Sequence, residues 1–419
     1  LFVDDTKPGI GWIAKQAAFF GWLKRHCHVK WHRGTAMVEK AELFEELRRT
    51  RENYDAVEVL PHHPRMANTY YACADIKPGD GAKLRELVAR YSPETDIDGD
   101  FILAMFVTPA WGSPGDRPSF GITSDAGRGS GKTTLAKHVG RVWGGRVEIA
   151  ADETVEVVKQ RLLSPEGITK RVAVIDNLKS MRFSSAGLEA LITADVISGK
   201  RLYVGEASRP NNLLWITTLN GVSFATDWAQ RSIIVKLKRP TYSGQWKDDT
   251  EAFIDANRDA IIADAIGYLQ QPADFELASF TRWGNWERDI LARLPEPGEA
   301  AKVIQERQGE ADAEAEETGD FQDCIREKLG EVHYDPQRDR VFVSSKLVAT
   351  WLSEVAGERF GTTKASRFVR QRIRDGGLSC LAENNCHTYG RGFVWNGERC
   401  DMDSPIQTDL EDRIDHRWG

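Results

Sequence analysis

Ser119-Phe120-Gly121-Ile122-Thr123-Ser124-Asp125-Ala126-Gly127-Arg128-Gly129-Ser130-Gly131-Lys132-Thr133-Thr134 is the stretch that decides how this sequence reads. A short apolar run with β-branched residues leads into a Gly-rich loop, and Leu135 and Val139, four apart, then set an amphipathic helix. Strand, Gly-rich loop and helix, in that order, are what a phosphate-binding loop requires. The glycines let successive backbone N–H groups turn toward one anion, with the positive end of the helix behind them. Gly127, Arg128, Gly129, Ser130, Gly131 and Thr134 are thereby candidates to wrap phosphate. Lys132 is the point charge for the β- and γ-phosphates, and Thr133 the hydroxyl for Mg²⁺. Ala126 stands where the pattern G-x-x-x-x-G-K-[ST] has its first glycine, which a negative φ allows.

Outward from the loop, Arg171-Val172-Ala173-Val174-Ile175-Asp176-Asn177 has the form of a buried parallel strand that delivers a carboxylate to its C-terminal end. Asp176 is the candidate Mg²⁺ partner. Asn177 takes the place of a second acid, which leaves Glu189 on the next helix as the candidate to polarise water. Leu213-Leu214-Trp215-Ile216-Thr217-Thr218-Leu219-Asn220 is another buried strand, ending in an amide suited to orient water against a γ-phosphate. Between these strands, 199–212 reads as a hairpin bearing Lys200, Arg201 and Arg209. Arg231 precedes a closing strand at Ser232-Ile233-Ile234-Val235-Lys236-Leu237 and is placed to serve a neighbouring subunit's nucleotide. The pattern predicts an α/β fold with a parallel sheet.

The chain has 419 residues, 41% apolar and 28% charged, enough for two or three globular domains. A net charge of −7 excludes a globally basic nucleic-acid binder and leaves room for a local basic stripe. No apolar run is long enough to span a membrane. The six cysteines show no framework spacing, so reduced thiols in a cytoplasmic protein are expected. His26-Cys27-His28 with His32, and Cys380, Cys386, His387 and Cys400, lack the paired spacing of zinc ligands and read as polar strand ends and loops. The opening Leu1-Phe2-Val3-Asp4-Asp5 is neither a Met start nor a secretion signal, and suggests a piece of a longer chain.

Residues 1–94 read as a helical collar or linker, and 95–275 as the nucleotide-binding domain with a lid helix at 260–269. Residues 276–320 read as a helical and acidic linker, the run 310–317 being a solvated helix or tether. In 321–399 a helix, a strand, two helices and two further strands are expected, the order of a winged helix, before a tail at 400–419. Lys364, Arg367, Arg370, Arg372 and Arg374 crowd its third helix, a pattern suited to phosphate contact.

Together these pieces resemble the superfamily 3 helicases of the AAA+ class, especially the helicase part of phage- and poxvirus-type primase-helicases. The resemblance covers about residues 95–240: phosphate loop, acidic strand, cationic hairpin, Asn-ended strand, then Arg231. It implies a hexameric ring that hydrolyses ATP with Mg²⁺ at subunit interfaces, has single-stranded or forked DNA as its partner, and pulls a single strand through its pore. It further implies that Arg231 acts as a finger in trans, that Lys200, Arg201 or Arg209 touches DNA, and that a primase domain lies upstream. A contrasting expectation is an AAA+ switch or remodeller acting on a protein partner, which a more apolar pore loop would favour.

Overall fold

The computed structural model describes residues 15–28, 39–50, 52, 54–113, 115–124, 129–150, 153–178, 186–201, 205–219, 226–240, 244–273, 275, 281–357, 359–374, 378–384 and 389–415. At the N-terminal side, α1 (Gln16–His26) and α2 (Lys40–Thr50) meet where the Phe19 and Phe44 rings lie 5.9 Å apart. A short parallel pair, β1 (Ala56–Glu58) and β2 (Thr69–Tyr71), is followed by α3 (Ala82–Val88) and α4 (Asp96–Val107). A capping box starts α4: Thr95 Oγ1 accepts from the Asp98 amide at 3.2 Å, and Asp98 accepts from the Thr95 amide. The all-apolar run that follows, 101–107, is buried except for the partly buried Leu103, as expected of an unbroken apolar helix.

The central unit alternates strand and helix: β3 (Ser119–Thr123), α5 (Lys132–Val142), β4 (Val147–Ile149), α6 (Val155–Leu162), β5 (Val172–Leu178) and α7 (Ala186–Thr193). An antiparallel hairpin, β6 (Val196–Arg201) with β7 (Gly205–Pro210), comes next. It leads into β8 (Leu214–Leu219), α8 (Thr226–Ala229) and β9 (Ser232–Lys236). The sheet runs β4-β5-β8-β3-β9, every pairing parallel. Both faces are covered, so the strands are mostly apolar and their interior residues are buried on both sides, with polar residues at strand ends, at Glu148 on the edge strand and at Thr217 and Thr218. Along β8, Leu214 and Ile216 join the core under α4 and α5, while Trp215 and Leu219 join a second core under α6 and α7. This is the mixed α/β architecture of a P-loop NTPase-like core, as the strand pattern predicts.

The lid stretch is part of a longer helix, α9 (Trp246–Gln270). After it, α10 (Gly284–Asp289) carries Trp286, which with Trp283 and Ile290 is buried in the same core as β3 and α5. From Trp283 to Ile304 the expected linker therefore contributes to the core. Next, α11 (Pro297–Glu331) is one helix of 35 residues that passes unbroken through the acidic run and the expected boundary at 320. Arg307 on α11 is buried: it donates to both carboxylate oxygens of Asp98, at 2.6 and 3.1 Å, and to the Ile234 carbonyl at 2.6 Å. Asp98 also accepts from the Lys236 amide at 2.7 Å, so α11 is fastened to β9.

The C-terminal unit is β10 (Arg340–Ser344), α12 (Ser345–Ala356), α13 (Thr362–Arg374), β11 (Leu381–Glu383), β12 (Gly392–Asn396), β13 (Ile406–Gln407) and α14 (Leu410–Asp415). Its sheet order is β11-β12-β10-β13, and its own core gathers Phe321, Trp351, Val369 and Trp395. Leu410, from the stretch expected to be a tail, is buried in that core. Among the described residues no helix is long and apolar enough to cross a membrane.

Candidate nucleotide site

Gly129 and Gly131 both have φ of +86°, a left-handed conformation that favours glycine, and Gly131 is the residue from which α5 starts. The loop therefore turns into the helix with its backbone amides leading, at the C-terminal end of β3. Lys132 is buried, with Nζ donating to Ser130 Oγ at 3.1 Å, and burial lowers its pKa from the ordinary lysine value. Gly127 and Arg128 lie outside the described residues.

Thr133 and Asp176 are brought together across 43 residues of chain: Thr133 Oγ1 donates to Asp176 Oδ1 at 2.8 Å. Thr218 on β8 donates to the same oxygen at 2.5 Å. Thr218 is a site residue that the strand reading passed over; the signal was a pair of threonines inside an otherwise apolar run. Among the described residues Asp176 has no basic partner. A hydroxyl and a carboxylate without a counter-ion are hard oxygen donors, which fits Mg²⁺. Among the described residues no group of three or more His, Cys, Asp or Glu side chains forms a metal site, and His32, Cys386 and His387 lie outside them.

The strand that ends toward Asn220 lies between the phosphate-loop strand and the acidic strand, since β8 is flanked by β3 and β5. Asn220 is outside the described residues, and Asn177 is within β5 but nothing is described of its side chain. Glu189 is buried on α7.

Arg231 is at the far edge of the sheet. Its carbonyl accepts from the Ser119 amide at 3.0 Å, at the start of β3, whereas the phosphate loop leaves from the end of β3. At about 3.3 Å per strand residue the two edges are on the order of 13 Å apart. Arg231 is not beside Lys132 of its own chain.

Arg209 departs from expectation. It is 4% exposed, with its guanidinium donating to the carbonyls of Gly167 and Lys170 at 2.8 and 3.0 Å and to Asn212 Oδ1 at 3.2 Å. Burial lowers its pKa to about 10. A side chain committed in this way is a buried strut of the hairpin base, not the exposed cation that the hairpin reading expects. Lys200 is exposed and faces Glu206 across the hairpin, and Arg201 is at the end of β6. On α13, Lys364 lies 4.2 Å over the Phe360 ring, Arg367 is exposed, and Arg370 and Arg374 approach Glu383 at 3.9 and 3.6 Å. Arg372 is buried against Phe368.

No known protein family and no curated protein matches the sequence. Among solved structures, the chain is similar to an A-form apo structure of the NrS-1 C-terminal region, at TM-score 0.37 and 12% identity over 85% of this chain and 89% of that one. A second structure of that region gives 0.39 and 10% over 85% and 88%. A JCV helicase bound to a thiazolopyridinyl-phenoxyphenyl acetamide gives 0.31 and 14% over 55% and 61%. Similarity this low bears on neither family nor function.

Proposed function

We propose that the chain is a Mg²⁺-dependent ATPase whose turnover moves single-stranded or forked DNA, working as a hexameric ring of the superfamily 3, AAA+ kind. The observation that carries this reading is the convergence of Lys132, Thr133 and Asp176 at the edge where the glycine loop leaves the sheet. Lys132 and the loop amides would hold the β- and γ-phosphates, and Thr133 with Asp176 would hold Mg²⁺. Bound there, the ion neutralises charge building on the phosphate oxygens. Asn220 would orient the attacking water, with Asn177 beside Asp176 and Glu189 as the nearest buried acid in the sequence. Arg231, too far from its own loop, would complete the site of the next subunit. Lys200 and Arg201 on the hairpin, and Lys364, Arg367 and Arg370 on a winged-helix-like unit, would touch DNA, and a primase domain or protein would act upstream in the cytoplasm.

One observation favours the second reading, a remodeller of a protein partner. With Arg209 withdrawn into the fold, the exposed hairpin base carries the apolar Val196, 52% exposed.

The test mixes subunits. Lys132→Ala is expected to abolish hydrolysis with the fold intact, and Arg231→Ala to slow it by about 10³–10⁵-fold, as for other arginine fingers. Rings containing both variants are expected to regain ATPase activity, because some interfaces hold an intact loop and an intact finger. Mixed rings that stay inactive would remove the trans role of Arg231. Normal turnover by Lys132→Ala would remove the ATPase reading, and failure to displace a strand from forked DNA would favour the protein remodeller.

A further inference from the structure

We propose that Thr218 is a positioning residue, whose hydroxyl fixes the Asp176 carboxylate for the divalent cation. The inference rests on the nucleotide-site reading above and adds a residue to it.

The first observation is a break in strand register. β5 and β8 run in step from Val172↔Leu214 to Ile175↔Thr217, and the next matched pair is Leu178↔Leu219. Asp176 and Asn177 therefore share a single residue opposite them, Thr218. One extra residue on a strand is a bulge, a device that re-aims a side chain and ends regular pairing. Here it falls at the acid.

Parity puts the three oxygens on one face. Val172 and Val174 of β5, and Leu214 and Ile216 of β8, belong to the core under α5. Asp176 and Thr218 continue those two series, so both come to the side from which Thr133 approaches.

Both hydroxyls converge on one carboxylate oxygen, Oδ1, from different parts of the fold. Thr133 belongs to the helix of the phosphate loop, and Thr218 to the central strand. The Thr218 bond therefore holds the carboxylate in the sheet's frame whatever the loop does on binding phosphate. Thr218 is 2% exposed, in a strand position otherwise suited to an aliphatic side chain, where a hydroxyl is costly unless it is hydrogen-bonded. Its use here is to deny the carboxylate other rotamers.

The experiment measures binding of a fluorescent ATP analogue to full-length protein in EDTA and across a Mg²⁺ titration. Thr218→Val is expected to bind the analogue normally in EDTA, while its Mg²⁺ half-saturation rises by about 10–100-fold, the usual effect of losing a residue behind a metal ligand. Thr218→Ser, which keeps the donor, is expected to restore the wild-type midpoint. Thr218→Ala replaces the Val variant if thermal melting shows that Val unfolds the chain. An unchanged Mg²⁺ midpoint in a folded hydroxyl-less variant overturns the proposal and leaves the nucleotide site standing. Wild-type protein that fails to bind the analogue, or binds it equally after Lys132→Ala, overturns both.

Discussion

Two carboxylates bracket the parallel sheet, and they are treated in opposite ways. At the edge where strands enter, Glu58 is buried against Arg171: Oε2 accepts from Arg171 Nε at 3.0 Å and Oε1 from Asn212 Nδ2 at 2.9 Å. Arg171 also donates to the carbonyls of Leu60, Pro61 and Pro109, and Arg209 donates to Asn212. His62 lies within this network and is held neutral, its pKa well below the usual value through burial and the nearby Arg171 and Arg117 charges. At the edge where strands leave, Asp176 receives two neutral hydroxyls and, among the described residues, no cation. An acid whose counter-ion is built into the fold serves cohesion. An acid held in place by neutral donors keeps its charge available to something that arrives.

The largest expected effect separates the two acids. Asp176→Asn should lower ATP turnover by on the order of 10²–10³-fold or more, as loss of a preorganised charge does, with little change in melting temperature. Glu58→Gln should do the reverse, costing about 3–5 kcal/mol of stability by leaving Arg171 buried without its partner. Urea unfolding and phosphate release on both variants check this, and equal stability losses would break the contrast.

A second pair sharpens it for cations. Arg209→Gln should destabilise the fold by roughly 1–3 kcal/mol, the cost of leaving the buried carbonyls of Gly167 and Lys170 unpaired, and leave the salt dependence of DNA binding unchanged. Lys200→Ala should leave stability unchanged and reduce the slope of log affinity against log salt by about 0.7–0.9, one phosphate's worth. A changed slope for Arg209→Gln would restore it as a DNA contact.

The smallest effect concerns His138 on α5, which lies behind the loop, 2.9 Å from the Tyr91 hydroxyl. Burial pushes its pKa down to about 4, against a raising effect from Glu251. The unfolded chain protonates this histidine near its ordinary value while the folded chain stays neutral. Stability should therefore fall as pH drops from about 6.5 toward 4, by at most roughly 3 kcal/mol. Asp100, raised to about 6 by burial, works in the opposite sense in the same window. The measurement is accordingly the difference in melting temperature between wild type and His138→Asn across that range. A constant difference would show that His138 titrates normally.

The glycine loop between strand and helix, the acid toward the end of β5 and the parallel strands themselves were legible because each depends on short-range pattern. Val172 to Asp176 announces a buried parallel strand by itself. Arg209 was not legible: its carbonyl partners lie 39 and 42 residues earlier, and in sequence a cation on a hairpin looks the same whether buried or exposed. Thr218 escaped for a similar reason, because its partner is set by a register break between strands 42 residues apart. The continuity of α11 was readable and was passed over. The run 310–317 alternates Glu and Asp with Ala, and Ala and Glu are strong helix formers, so the change in composition marks a change in solvation with no break in the helix.

That continuity sets an angle as well as a length. A helix of 35 residues spans about 50 Å, and each residue turns it by about 100°. Since Arg307 pins one part of α11 to Asp98 and β9, while Phe321 and Ile325 belong to the C-terminal core, the basic face of α13 is in rotational phase with the sheet. Deleting one residue from 310–317 would turn that face by about 100° while moving it only about 1.5 Å. Deleting seven would draw it in by about 10 Å yet return it to within about 20° of its starting direction.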